Sequence, residues 1–191
     1  MKLKHFAALG AGLALAFSGC TTTKSGGVSY DAEANTTIVN GKETTIAPLV
    51  GPVRTLFLKA EISPGNTGLY LVVLYLSVDG WLLPDRVSDS SGKGLEGFQG
   101  TKETLNLQFG KVTKEIYYIP LTRQYLEAHR KSGINLRLTG SNGALAAAQP
   151  GSFVTDFLAS LDATKTKLAG SVPLKKLVAN RNQPYSSAAS Q

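Results

Sequence analysis

The sequence contains one cysteine and two histidines among 191 residues, and this scarcity excludes several kinds of chemistry. A disulfide within the chain needs a second cysteine, and a zinc site needs several cysteine or histidine ligands. Catalysis of the Ser-His-Asp type needs a histidine oriented by an acid, and His129 is the only histidine after His5. We interpret His129 as a helix-face residue that packs through its ring. The sequence therefore predicts no metal centre and no cofactor, and it favours a protein that is not an enzyme.

Charged residues are also sparse, at 17% of the chain, and the excess of seven cations is unevenly distributed. Two of the excess cations are Lys2 and Lys4, and five lie in residues 163–191, which contain no acid. Residues 20–162 are therefore neutral, which argues against a nucleic-acid-binding surface and a nucleic-acid partner. Because residues 163–191 are basic and low in aromatic side chains, we expect them to form a disordered tail.

One long apolar run, Phe6 to Phe17, follows two lysines and precedes the small residues Ser18 and Gly19. The run has 12 residues, whereas a helix needs about 20 to cross a membrane. This pattern predicts a cleaved secretion signal over residues 1–19. An ordinary secretion signal followed by a coincidental cysteine is the alternative interpretation.

The sequence Phe17-Ser18-Gly19-Cys20 resembles the lipobox of bacterial lipoprotein precursors, with Phe17 where the family usually has leucine. The resemblance covers residues 1–20 and implies that a peptidase cuts before Cys20, whose thiol and freed amine then carry lipid. In enteric lipoproteins an aspartate after the cysteine retains the protein in the inner membrane, and here that residue is Thr21. The resemblance therefore implies a lipid anchor in the outer membrane, facing the periplasm, with the membrane as a partner. An envelope protein is the second partner we expect, because the anchor signal occurs without a catalytic constellation.

The rest of the chain predicts a tether and one domain. Residues 20–35 are small and polar without periodicity, which is typical of a flexible tether. Residues 36–162 contain short runs of alternating apolar and polar residues between turn signals, which predict a single β-rich domain. We expect a mainly β (α+β) fold, an antiparallel β-sandwich or curved sheet of about seven strands with two short helices.

Three local patterns refine this expectation. Asn40-Gly41, between two short strand patterns, predicts a tight hairpin. Leu69 to Val78 is apolar at both alternating sets of positions, which predicts a central strand covered on both sides. Thr122 and Ser152 are good caps for the two helices, and the first helix is expected to reach Lys131.

Residues 85–102 contain four glycines and no periodicity, which predicts the longest irregular loop of the domain. Long loops within compact domains are often functional. The segment Trp81 to Leu83 before it is expected to be a return strand that Pro84 ends. Candidate ligand or partner contacts in or beside this loop are Asp79, Trp81, Asp85, Arg86 and Phe98. Packing in the core would explain the two aromatic rings equally well.

The leading hypothesis for function is a non-catalytic, lipid-anchored envelope protein that binds another protein or supports an assembly. One alternative is an envelope module that binds a small ligand or a polyanion. Another is a cell-wall hydrolase that uses carboxylates of the segment containing Asp79, Asp85 and Asp89. That hydrolase would need two of these carboxylates in one cleft, within about 10 Å of each other.

Overall fold

The computed structural model describes residues 20–49, 51–108 and 110–170. In this part of the chain there are twelve strands, all paired in antiparallel fashion, and two helices. The predicted class, a mainly β fold with two helices, is confirmed. The strands outnumber the seven expected because segments without an apolar pattern also pair through their backbones.

The elements are as follows in chain order. The strands are β1 (Cys20–Lys24), β2 (Gly27–Asp31), β3 (Thr36–Asn40), β4 (Glu43–Ala47), β5 (Val53–Ser63), β6 (Asn66–Ser77), β7 (Pro84–Asp89), β8 (Gly94–Leu95), β9 (Phe98–Leu107), β10 (Gly110–Pro120), β11 (Ile134–Gly140) and β12 (Gly143–Gln149). The helices are α1 (Arg123–Ala128) and α2 (Gly151–Gly170).

The strands form a large sheet of eight and a small sheet of four. The large sheet has the order β1-β4-β5-β6-β10-β9, and β3, with β2 beside it, also pairs with β5. The small sheet has the order β12-β11-β7-β8. The long strands β5, β6 and β10 form the centre of the large sheet, since their branched and aromatic side chains suit a pleated, half-buried surface.

The hairpin predicted at Asn40-Gly41 does not form, because β3 and β4 pair with β5 and not with each other. β3 pairs with residues 59–62 of β5 and β4 with residues 54–56, so the two strands lie in line along one neighbour. The backbone N–H of Gly41 donates a hydrogen bond to the carbonyl of Leu58 at 2.7 Å. Pairing with a long central strand stabilises both segments more than an isolated two-stranded hairpin would.

One hydrophobic core lies between the large sheet, the small sheet and the two helices. Alternate residues of β5 and β6, such as Leu58 and Leu71, point into it, as the period of two requires. Phe157 and Leu161 of α2 enter from the other side at helical spacing. Burying each such side chain stabilises the fold by roughly 1.5–3 kcal/mol, which holds the helix against the sheet.

The tether predicted over residues 20–35 contains two strands of the large sheet. β1 pairs with β4 and β2 pairs with β3. All the residues of β2 are exposed, so its pairing with β3 depends mainly on backbone hydrogen bonds. Amino-acid composition does not reveal strands of this kind.

The irregular loop predicted over residues 85–102 is also mostly paired, since it contains β7, β8 and the first half of β9. Pro84, expected to end a strand, begins one, because proline in the first position of a strand loses no ladder hydrogen bond. The segment Trp81 to Leu83, expected to be a strand, is irregular and connects the large sheet to the small one.

The helices begin close to the predicted residues and end elsewhere. Thr122 caps α1, and its hydroxyl accepts a hydrogen bond from the backbone N–H of Tyr125 at 3.1 Å. α1 ends at Ala128, three residues before the expected Lys131. α2 begins at Gly151, one residue before the expected cap, Ser152.

α2 continues to Gly170, so residues 163–170, expected to belong to a disordered tail, are helical. Arg123 of α1 holds this helix through two hydrogen bonds to the carboxylate of Asp162, at 2.5 and 2.8 Å. The rest of the predicted tail, residues 171–191, and the predicted signal, residues 1–19, lie outside the described residues.

Candidate functional site

Three of the five candidate contact residues line one cleft, and these are Asp85, Arg86 and Phe98. The cleft has a volume of about 470 Å³ and lies where β7 and β8 of the small sheet meet β9 and β10 of the large sheet. Asp79 and Trp81 are not among its lining residues. The other lining residues are Leu83, Pro84, Val87, Leu95, Glu96, Gly97, Gln99, Tyr117 and Ile119.

Trp81 lies in the connecting segment between the two sheets, where several side chains hold it. The ammonium group of Lys102 lies 4.8 Å from the centre of the indole ring, a cation–π contact. The side-chain amide of Asn142 donates to the carbonyl of Trp81 at 2.5 Å. The hydroxyl of Thr113 donates to the carbonyl of Gly80 at 2.8 Å. These contacts position the connecting segment beside the cleft.

The carboxylate of Glu115 is fully buried and binds the same connecting segment. It accepts hydrogen bonds from the backbone N–H groups of Leu82, at 2.6 Å, and Leu83, at 3.2 Å. Two successive N–H groups that converge on one anion form a nest, and the left-handed φ of Leu83, +49°, is part of that geometry. The phenol of Tyr117 donates to the same carboxylate. These hydrogen bonds replace the water that the carboxylate loses on burial.

Glu115 belongs to none of the candidate sites that the sequence predicts. The sequence feature that indicates its burial is its alternation with Tyr117 and Ile119. Residues two apart on a strand share a face, so a face that buries Ile119 also buries Glu115. Burial, and then the hydrogen bond to Glu115, raise the pKa of the Tyr117 phenol well above its usual range. Tyr117 therefore remains a hydrogen-bond donor at neutral pH.

The carboxylates of the hydrolase hypothesis lie in different environments. Oδ1 of Asp89 accepts hydrogen bonds from the hydroxyl of Ser91, at 2.6 Å, and from the backbone N–H groups of Ser91 and Lys93, at 2.9 and 3.0 Å. These bonds, the Ser91 hydroxyl foremost, lower the pKa of Asp89. This arrangement is typical of an aspartate that stabilises a turn. Asp79 is exposed, and Asp85 is the one member of the three that lines the cleft.

A second candidate surface is the side of the large sheet that points away from the core, called here the outer face. β6 was expected to be covered on both sides, but in the described part of the chain only its inner side packs into the core. The register of the strands places eleven apolar residues on the outer face: Val53, Phe57, Tyr70, Val72, Leu74, Leu76, Phe98, Leu105, Val112, Ile116 and Tyr118. Val72 and Val112 are buried among their neighbours, and the other nine are at least partly exposed.

Three aromatic rings occupy one end of the outer face. Phe98 stacks on Tyr118 with 5.4 Å between ring centroids, and Tyr70 meets both rings edge-on at 6.2 and 5.8 Å. The ammonium group of Lys59 lies 5.3 Å from the centroid of Tyr118. Each aromatic pair contributes about 0.5–1.5 kcal/mol, so the rings stabilise one another in fixed positions. Phe98 belongs to both candidate surfaces, because it lies where the outer face meets the cleft.

His129 lies away from both surfaces, at the end of α1. Its ring stacks on Tyr125 with 4.1 Å between centroids, and Nδ1 lies 2.7 Å from the carbonyl oxygen of Tyr125. These contacts are those of a packing residue.

In residues 20–49, 51–108 and 110–170, no three His, Cys, Asp or Glu side chains are grouped closely enough to hold a metal ion. Neither helix of this part of the chain combines the length and the apolar character needed to cross a membrane. No protein-family model, curated protein or solved structure matches the chain.

Proposed function

We propose that this protein is a non-catalytic, lipid-anchored protein of the bacterial outer membrane, facing the periplasm, that acts by protein association. The anchor is supported by residues 1–20, whose apolar run and terminal Ser18-Gly19-Cys20 resemble a lipoprotein precursor. The association is supported by the outer face of the large sheet. That face is the single observation that carries the proposal.

The centre of the outer face is apolar and in contact with solvent. Phe57, Leu74 and Ile116 lie there on three neighbouring strands, and each side chain is partly exposed. At about 4.8 Å between strands and 3.4 Å per residue, the outer face of the four strands covers on the order of 500 Å², and apolar side chains occupy most of it. Burying apolar surface contributes roughly 25 cal/mol per Å² before the costs of association. A continuous apolar patch of this size typically marks an interaction site.

A second copy of this chain is the occupant that fits this face best. Two copies packed face to face would bury roughly 1,000 Å², which is the lower limit for a specific interface. Homodimer interfaces are more apolar than other interfaces. In the centre of the outer face, the residues that lie side by side across the four strands include no charged residue. Residues 20–162 are neutral overall, so two copies repel each other little.

The charges around the outer face are also compatible with a second copy. Lys59 pairs with Glu61 at 2.6 Å, and Lys114 pairs with Glu103 at 2.5 Å. One ion pair therefore lies on each side of the apolar centre of the outer face, and each contributes both signs of charge. Two copies related by a two-fold axis can match these charges, whereas a strongly acidic or basic partner would face half of them with the same sign.

A common membrane anchor would strengthen such an interface. Two copies held by lipid at Cys20 in one leaflet diffuse in two dimensions, which raises their effective concentration. An interface near the lower size limit then forms dimers on the membrane, although the dimer dissociates at low concentration in solution.

Sedimentation velocity of the full chain in a mild detergent, over a wide concentration range, tests this association. We expect a reversible monomer–dimer equilibrium. Leu74→Glu buries a charge at the centre of the interface and should weaken the dimer at least about tenfold. Thr101 lies on the outer face across the strands from Leu74, on the edge strand β9. Because the position is already polar, Thr101→Glu adds a charge there with less risk to folding.

Leu49→Glu is the matched control, since Leu49 is 76% exposed and lies outside the outer face. It should dimerise like the wild type. A wild-type chain that is monomeric at every concentration, or folded Leu74→Glu and Thr101→Glu proteins that dimerise normally, would refute the second copy as occupant. Envelope crosslinks to a different protein that both variants remove would assign the face to that protein.

Metabolic labelling with a fatty acid tests the anchor separately. The wild-type chain should incorporate label, and Cys20→Ser should not. Equal labelling of the two chains would contradict lipidation at Cys20 and leave the sedimentation result unaffected.

A further inference from the structure

Departures from regular backbone structure converge on the cleft between the two sheets. In the β7–β11 pair, Thr139 lies opposite Arg86 but Gly140 lies opposite Pro84, so Asp85 is an extra residue in a β-bulge. Bulges bend a strand and redirect its side chains, and they are frequent beside binding sites. Asp85 is in the bulge and Arg86 is next to it, and these are the two charged residues that β7 contributes to the cleft.

The opposite wall of the cleft has a second bulge. The register of the β9–β10 pair shifts between Ile116 and Tyr117, which leaves Gly100 as the extra residue of β9. Tyr117 and its partner Gln99 both line the cleft. Each wall is therefore irregular at the point where it faces the other.

The third departure is Leu83, whose backbone is in the left-handed region although the residue has a Cβ atom. This conformation is unfavourable for an L-residue, and here the buried carboxylate of Glu115 holds it through the N–H of Leu83. Local departures of this kind concentrate where a chain serves binding rather than stability.

The lining of the cleft combines apolar surface with charges of both signs. Leu95 is partly exposed in its wall, and Phe98 is 50% exposed at its rim. The charged residues of the lining, Asp85, Arg86 and Glu96, are exposed. In the described part of the chain, none of the three has an ion pair or a side-chain hydrogen bond, so all are available to a ligand.

We propose that this cleft binds a small zwitterionic molecule with an apolar body, of the class of α-amino acids and short peptides. Arg86 receives the carboxylate of the ligand, since a guanidinium binds carboxylates through paired hydrogen bonds. Asp85 and Glu96 receive its ammonium group, and its apolar part packs against Phe98. The volume of about 470 Å³ lies within the range of roughly 300–1,000 Å³ that small-molecule sites occupy.

Isothermal titration calorimetry of the full chain in mild detergent tests this site with the dipeptide leucyl-leucine as the probe. We expect saturable binding. The blocked analogue N-acetyl-leucyl-leucinamide has the same apolar body without either charge, and it should bind at least about tenfold more weakly. Arg86→Gln and Glu96→Gln should each weaken leucyl-leucine at least about tenfold.

Arg137→Gln is the matched control, because Arg137 is an exposed arginine of β11 that does not line the cleft. This variant should bind leucyl-leucine with the affinity of the wild type. No binding of leucyl-leucine at millimolar concentration would overturn the proposal, as would equal affinity for the blocked analogue. Full affinity in both Arg86→Gln and Glu96→Gln would overturn it too. The outer face and the cleft share Phe98, so titration of the monomeric Leu74→Glu variant, which should also bind leucyl-leucine, separates ligand binding from association.

Discussion

The carboxylate of Glu115 lies 2.6 Å from the backbone nitrogen of Leu82 and connects the two sheets of this protein. Glu115 belongs to the centre of the large sheet, and Leu82 belongs to the segment that leads into the small sheet. The same carboxylate accepts a hydrogen bond from Leu83, which lines the cleft. The position of one cleft wall therefore depends on a buried carboxyl group of β10.

Glu115→Ala should lower the free energy of unfolding by about 2–5 kcal/mol, because it leaves the buried N–H of Leu82 and the partly buried N–H of Leu83 without an acceptor. Glu115→Gln retains an acceptor oxygen and should cost less. Urea denaturation measures both values. Glu103→Gln is the control, since it removes a partly exposed ion pair with Lys114 and should cost under about 1 kcal/mol. If Glu115→Ala were as stable as the control, the carboxylate would not hold the segment.

Phe157→Ala should destabilise the protein by about 3–5 kcal/mol, because the ring is 1% exposed and its removal leaves a cavity between α2 and the large sheet. Phe153→Ala on the same helix is the matched control. Its ring is partly exposed and lies under Lys42, 5.3 Å from the ammonium group, so the loss should be clearly smaller. Urea denaturation measures the free energy of unfolding of both variants, and their midpoints are comparable if the slopes of the two transitions are equal. Equal losses of stability would contradict the assigned position of the core.

Gly133→Ala should cost more than Gly92→Ala, although both glycines have left-handed backbones, with φ of +78° and +83°. A Cβ at Gly92 meets open space, so that substitution carries only the backbone cost of about 1–2 kcal/mol. A Cβ at Gly133 would overlap the carbonyl oxygen of Gln149, which belongs to the paired strand β12. Thermal unfolding measures the stability of both variants. Equal losses of stability would show that the backbone around residue 133 shifts to accommodate the added Cβ.

The Arg123 guanidinium, through its hydrogen bonds, holds the pKa of the Asp162 carboxyl below its ordinary value. A lowered pKa in the folded state means that the pair stabilises the protein at pH above the ordinary aspartate value of about 3.9. This stabilisation is lost as the pH falls through the folded-state pKa. Because both side chains are exposed, it should be under about 1 kcal/mol.

NMR titration of the Asp162 carboxyl in wild type and in Arg123→Gln measures this pair directly, and the pKa should rise in the variant. Lys42→Gln is the control, since it breaks a different ion pair of α2, that of Lys42 with Asp156, and should leave Asp162 unchanged. An unchanged pKa in Arg123→Gln would show that the pair does not form in solution.

The sequence predicted the class of the fold because alternation of apolar and polar residues is a local property. Leu56, Leu58 and Ala60 alternate with other residues in the sequence, and they share the buried face of β5. Strand pairing is not local, and a two-residue turn signal at Asn40-Gly41 was outweighed by the length of β5, which offers both flanking segments a partner. β1 and β2 were missed because their pairing uses backbone groups that every residue has.

The candidate site shows the same division. Asp85, Arg86 and Phe98 lie within one short stretch of the chain, and all three line the cleft. The opposite wall of the cleft includes Tyr117, which strand pairing brings beside Phe98 and which comes near Asp85 and Arg86 only after the two sheets have packed. Trp81 lies close to Asp85 in sequence, but its ring contacts Lys102 and it does not line the cleft.

By itself, the sequence determined the mainly β class, the cap at Thr122 and the neutral charge of residues 20–162, since each depends on the identity and order of neighbouring residues. The tertiary structure decided which side of β6 packs into the core and which side remains the outer face. An apolar strand has two equivalent faces, and only the elements packed against it distinguish them. The burial of Glu115 was decided in the same way, because its alternation places it on one face and the packing of the small sheet makes that face the inside.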